Sequence, residues 1–366
     1  MKKYINRIYL VMIAVLMLAC SLPTSSQSTP TINPPQNVTI EPTPIPKGPN
    51  KPARRQPTNS PAAEKPTTSS ASAQPTTPEN SPNTNPSHEN GTYVTITVPE
   101  GTITRSASLY LPAKYSNNST KVPLILSFHG FGGSGSAHGA LTGLDTLADT
   151  QGLLVAYPDG LPIDPNNLKK GLKWDAAPGS ADVKFIRDLV TNIEKLHYRV
   201  DSSRIYATGM SNGGGMTHRV GCELADIVAA IAPVEGGYGE PGWTVCNPAR
   251  PVPVISFHGT PDPVVPYYGG KGKGPAAGNM FPPIPEWAAA WAKRDSCNKA
   301  PTMTQFNSHI SKTVYSQCHG NASVILYSID DNGHAWPGSS MPNASQAIDA
   351  TTEIWNFFLN YTLPSP

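Results

Sequence analysis

The sequence predicts an α/β fold in which a mainly parallel, doubly wound sheet carries helices on both faces. Two observations point there. From about residue 91 to 363, short apolar runs of strand length alternate with stretches of helical period, and strands alternating with helices form parallel sheets. Several of these runs also lead straight into Gly-rich loops that bear Ser, Asp or His.

In chain order, residues 122–128 read as a buried strand ending in His129-Gly130-Phe131-Gly132-Gly133, and 153–157 as a second. Val183, Ile186, Val190, Ile193 and Leu196 recur at spacings of three and four, one face of a helix. Residues 204–208 form a strand that runs into Gly209-Met210-Ser211-Asn212-Gly213. Trp287 and Trp291, one helical turn apart, are expected in the core. The Gly- and Pro-rich stretch 269–285 is expected either to border a cleft as a lid or to be a solvent loop. Further buried strands at 252–257 and 324–329 precede an amphipathic helix over about 347–359.

The chemistry lies at the ends of three strands. GxSxG at a strand-to-helix turn lifts a serine hydroxyl clear of the backbone, which makes Ser211 the candidate nucleophile. Asp262, in the loop after 252–257, is the candidate acid, and His334, after 324–329, the candidate base. A serine hydroxyl is a weak nucleophile, so an imidazole must take its proton, and a carboxylate must fix the imidazole tautomer. The chain order Ser, Asp, His is that of the α/β-hydrolases. The oxyanion hole is assigned to the backbone N–H groups of Phe131, or an adjacent glycine, and Asn212. Asp330 and Asp331 compete with Asp262 but look like a solvated turn, and His129 and His258 look like backbone-bonded structural residues. No Cys or carboxylate cluster has ligand spacing, so neither metal nor cofactor is expected.

The N-terminus reads as an export signal over 1–20, with Lys2, Lys3 and Arg7 ahead of a short apolar run. The run ends Leu18-Ala19-Cys20, similar to a bacterial lipobox, which makes Cys20 a candidate lipidation site and the membrane a partner only through that anchor. Residues 21–90 hold no Phe, Trp or Tyr and are dominated by Pro, Ser, Thr and Asn, the composition of a disordered tether. The catalytic domain is expected over 91–363. With a formal net charge of +2 and 14% charged residues, the chain carries no signature of nucleic-acid binding, and a monomer is expected. Setting Cys20 aside, Cys222, Cys246, Cys297 and Cys318 allow three connectivities, of which the shortest closures, Cys222 to Cys246 and Cys297 to Cys318, are expected.

The five loop motifs at 129–134, 157–160, 209–214, 258–267 and 333–338 together resemble the polyhydroxybutyrate depolymerase family, which groups with feruloyl and acetylxylan esterases. The resemblance covers nearly the whole domain. It implies an α/β-hydrolase fold and a serine esterase using Ser211, Asp262 and His334 through an acyl-enzyme. Many relatives have Cys where this chain has Phe131, and the substrate-binding module of some extracellular depolymerases is missing. The expected substrate is therefore a feruloyl or acetyl ester of plant polysaccharide, with hydroxyalkanoate oligomers as the alternative. A catalytically inactive surface binding protein is the alternative from another class, and the intact Ser, Asp and His set argues against it. Trp336, Trp174 and Tyr267, with Tyr268, are the expected aromatic substrate-binding residues.

Overall fold

The computed structural model describes residues 91–115, 120–239 and 242–364. The expected export signal, Cys20 and the stretch 21–90 lie outside the described residues. One sheet of ten strands organises the domain. Its strands are β1 (Thr92–Glu100), β2 (Ile103–Leu111), β3 (Val122–Phe128), β4 (Leu154–Pro158) and β5 (Val200–Met210). They continue with β6 (Ala230–Val234), β7 (Val254–Gly259), β8 (Thr302–Asn307), β9 (Ile310–Tyr315) and β10 (Val324–Ile329). The order across the sheet is β1-β2-β4-β3-β5-β6-β7-β10-β9-β8. Every pair from β4 to β10 is parallel, and the pairs at both edges are antiparallel.

The parallel strands are apolar almost throughout because both of their faces are covered. Side chains alternate between two cores, as the two-residue period of a strand requires. Leu124, Leu126, Ile205 and Ala207 face one side, with α3 (Ala181–Lys195), α4 (Asn212–Glu223) and α5 (Ile284–Arg294). Ile125, Tyr206, Ile255 and Phe257 face the other, with α1 (Gly135–Thr142), α2 (Leu144–Gln151) and α6 (Ala350–Phe358). The fold is thus the predicted doubly wound α/β sheet.

Trp287 and Trp291 of α5 are fully buried, and both indoles donate to Nδ1 of His218, at 3.3 and 3.1 Å. Burial, aided by the charges of Arg219 and Arg294, pushes that imidazole down to about 3, so it is a neutral acceptor. Disulfides join Cys222 to Cys246 and Cys297 to Cys318.

Two details of the sequence reading change. Leu196 is 51% exposed, because α3 stops at Lys195 and the following His197 turns the chain with φ +63°. The last helix starts at Ala350, later than its apolar pattern, because the Asp349 carboxylate caps it by accepting the Thr352 amide at 2.7 Å.

Candidate active site

Ser211 stands between β5 and α4 with φ +59° and ψ −119°, a conformation that costs a non-glycine residue energy. The strain is held by close packing of the turn against β3. A Cβ on Gly213 would lie 2.1 Å from the Phe128 carbonyl oxygen, and one on Gly209 2.7 Å from the same atom. Only glycine at those positions lets the serine reach this place.

The other two predicted residues meet it there. The Ser211 hydroxyl donates to His334 Nε2 at 2.8 Å, and His334 Nδ1 donates to Asp262 Oδ2 at 2.7 Å. Asp262 Oδ1 accepts the amides of Val264 and Val265, so the carboxylate also shapes its own loop. Burial pushes the Asp262 carboxyl up, but the neighbouring His258 and His334 imidazoles outweigh it and hold the group well below the usual carboxylate range. Asp262 is buried, whereas the His334 side chain keeps 17% exposure and can meet a ligand. The loops carrying the pair touch through Gly259, where a Cβ would lie 1.9 Å from the Asn332 carbonyl oxygen.

The amides of Gly132 and Gly133 are bonded to the Leu172 and Gly130 carbonyls at 2.8 and 3.1 Å, so neither is free to face Ser211. Asn212 opens α4, where the first N–H groups have no partner within the helix. Its side chain clasps the Trp174 backbone, with Oδ1 accepting the amide at 2.7 Å and Nδ2 donating to the carbonyl at 3.0 Å.

Two cavities meet at Ser211, and Phe131, Val264 and Pro275 line both. The first, about 260 Å³, contains His334 and is largely apolar, with Leu141, Met210 and Met341. The second, about 200 Å³, contains Asn212, Lys173, Trp174, Asn279 and Phe281. The stretch 269–285 therefore borders the cleft, supplying Pro275, Asn279 and Phe281.

The aromatic assignments need correction. Trp174 lines the second cavity as expected, although it is 97% buried and its indole donates to the His129 carbonyl at 3.1 Å. Trp336 does not line either cavity at Ser211. Its indole turns inward, donates to Thr351 Oγ1 at 3.0 Å and packs edge-on against His138. Tyr267 is also buried away from the site, its hydroxyl 2.6 Å from Ser328 Oγ, and Tyr268 is exposed outside both cavities. Nearness in sequence to His334 or Asp262 therefore does not bring these three rings into the cavities at Ser211.

His129 is buried, with Nδ1 donating to the Gly130 carbonyl and Nε2 accepting the Gly160 amide. His258 Nε2 donates to the Val265 carbonyl at 2.9 Å. Asp330 pairs with the exposed His309, and Asp331 is exposed as well. The sequence reading overlooked His138, which lines the first cavity and is pushed by burial down to about 3, and Glu235, which lies behind Asp262. The signal for Glu235 was a lone acid directly after the apolar run of β6.

The family described as "Esterase PHB depolymerase" matches residues 105–242. Feruloyl esterase B of Piromyces equi is 33% identical over 264 residues, which is 66% of this chain and 42% of that protein. This chain therefore spans less than half the length of that relative. The protein NocK of Nocardia uniformis subsp. tsuyamanensis is 30% identical over 251 residues, 63% of this chain and 70% of its own length. Among solved structures, an acetyl xylan esterase from Aspergillus awamori superposes with a TM-score of 0.50 at 18% identity, covering 67% of this chain and 94% of that one. That likeness is one of fold, the α/β-hydrolase fold. The family match from β2 to just past β6 and the identity shared along the domain together place this chain in the PHB depolymerase family of esterases.

Proposed function

We propose that the protein is a serine carboxylesterase that cleaves feruloyl or acetyl esters of plant polysaccharide through an acyl-enzyme on Ser211. The observation that carries this reading is the unbroken chain of hydrogen bonds from Ser211 through His334 to Asp262. His334 takes the Ser211 proton as Oγ attacks the ester carbonyl, and the amides of Phe131 and Asn212 receive the oxyanion. The protonated imidazole then gives its proton to the leaving alcohol, and the cycle repeats with water.

His334 must reach the leaving oxygen, so the alcohol belongs in the cavity that contains His334 and the acyl group in the other. That second cavity offers aromatic surface from Phe131, Trp174 and Phe281 with Asn279 and Lys173 as polar ends. Such a lining suits a hydroxylated aromatic acid, and its size exceeds the needs of an acetyl group. Hydrolysis of methyl ferulate, acetylated xylan and 3-hydroxybutyrate oligomers by one preparation tests the reading. Turnover of the hydroxybutyrate oligomers alone would assign the site to polyester instead, and no turnover with no fluorophosphonate labelling would make it a binding protein.

Phe131 divides the two cavities, and it is 44% exposed. Phe131→Ala keeps the backbone donor and removes the ring. KM for methyl ferulate should rise about tenfold, the value of one aromatic contact, with little change for an acetyl ester. An equal effect on both esters would take the ring off the acyl site.

The localisation we propose is an enzyme anchored to the outer face of a membrane through lipidated Cys20. Its support is the sequence at 16–21 and the Pro-, Ser- and Thr-rich composition that follows it. Cys20→Ser is expected to move activity from the membrane fraction to the soluble one. Unchanged membrane attachment, with no acyl chain detected by mass spectrometry, would exclude the anchor.

A further inference from the structure

Glu235 directly follows β6, the strand that lies between the serine strand β5 and the aspartate strand β7. It is completely buried and sits at φ +46°, a conformation glycine would hold more cheaply. Two glycines, Gly236 and Gly237, follow it directly. A long acidic side chain is nevertheless placed at the strained position, pointing among the groups that serve Ser211.

Its two oxygens are in different circumstances. Oε1 accepts the Gly259 amide at 2.9 Å and the Asn332 amide group at 2.6 Å. Oε2 has no donor among the described residues. A Glu235 oxygen, an Asp262 oxygen and a His334 ring nitrogen lie within 4.8 Å of one another. His258 Nε2 is 3.4 Å from Oε2 and 3.5 Å from Asp262 Oδ2, but its proton is directed to the Val265 carbonyl. Two ionised carboxylates side by side in a dry interior repel. A proton on Oε2 converts that repulsion into a hydrogen bond.

We propose that Glu235 is a positioning residue for the esterase reaction, a carboxylic acid whose O–H donates to Asp262 and steadies the carboxylate that orients His334. The proposal rests on the reading of Ser211, His334 and Asp262 given above. Burial first, and the Asp262 charge second, push the Glu235 carboxyl well above the usual range, in keeping with the proton's staying on. The titratable groups that face it are Asp262, His258 and His334, with the buried Tyr238 hydroxyl beyond. The O–H draws charge from Asp262 and fixes the carboxylate that His334 Nδ1 is bonded to.

Two variants and a spectrum test this. Glu235→Gln keeps a donor and an acceptor of the same shape and adds no charge change if the acid is neutral. Its kcat should stay within about threefold, and the acid limb of its kcat/KM profile, which reports His334, should not move. Glu235→Met removes the donor. Its kcat should fall about tenfold and the limb should rise by about one pH unit, because the undiluted Asp262 charge holds the imidazolium more tightly. In the infrared, the wild type minus Glu235→Gln difference at pH 7 should show a protonated carboxyl band. Asp295, which burial pushes up to about 7, contributes equally to both spectra and cancels.

A limb that falls by a unit or more in Glu235→Gln would mean that a charge had been removed, and the proposal would be overturned. So would the absence of the carboxyl band, or a Met variant with unchanged kcat and limb. If Glu235→Met does not fold, the Gln profile and the spectrum decide. Fluorophosphonate labelling separates the two levels of argument: wild type and folded Glu235 variants should label and Ser211→Ala should not, and only failure of that pattern counts against the triad itself.

Discussion

Ser211→Ala is expected to abolish ester hydrolysis and fluorophosphonate labelling while leaving the domain folded. The Oγ makes one hydrogen bond, to His334 Nε2, and fills no core space, so its loss should change stability by no more than about 1 kcal/mol. Its loss from the reaction is decisive, because among the described residues no other hydroxyl is bonded to His334. Removing a nucleophile from such a set lowers kcat by about 10⁶, with a remainder of about 10³ over water owed to binding and the oxyanion donors. His334→Ala should be nearly as severe, since the residues act as one unit. Labelling retained in the Ala variant at an unchanged thermal midpoint would place the nucleophile elsewhere.

The three residues of this unit were legible in the sequence because each stands in a short motif with a backbone reason. The glycines around Ser211 touch Phe128, and Gly259 touches the loop of His334, so the motifs record contacts between loops. The parallel strands were legible because burial on both faces makes them continuously apolar. The edge strands β1, β2, β8 and β9 were not, since one face is open and their polar residues blur any run. Side-chain direction within loops was the other blind spot. Trp336 looked like a pocket wall because it follows His334 by two, yet Asn332 bonds the Gly333 and Ala335 carbonyls and turns the indole into the core. Glu235 escaped notice for a related reason, as its partners come from β7 and from the His334 loop, both distant in sequence.

The acid offers the sharper test of how the site is wired. Asp262→Asn should lower kcat by about 10³ to 10⁴. The carboxylate uses both oxygens as acceptors, Oδ1 for the Val264 and Val265 amides and Oδ2 for His334 Nδ1. An asparagine has only one acceptor oxygen. If its NH₂ faces the loop, the two backbone donors lose their partner and the loop shifts. If it faces His334, Nδ1 must become the acceptor, the ring proton moves to Nε2, and the imidazole can no longer take the proton of Ser211. In either orientation the positive imidazolium formed during attack has lost its counter-charge. Losing buried hydrogen bonds to a charged acceptor should also lower stability by about 1 to 3 kcal/mol, read as a fall in the thermal midpoint. Asp331→Asn is the matched control. Asp331 is exposed, so activity should stay within about twofold of wild type. A severe Asp331 variant beside a mild Asp262 variant would show that the acid had been assigned to the wrong loop, whatever the distance between Asp262 and His334.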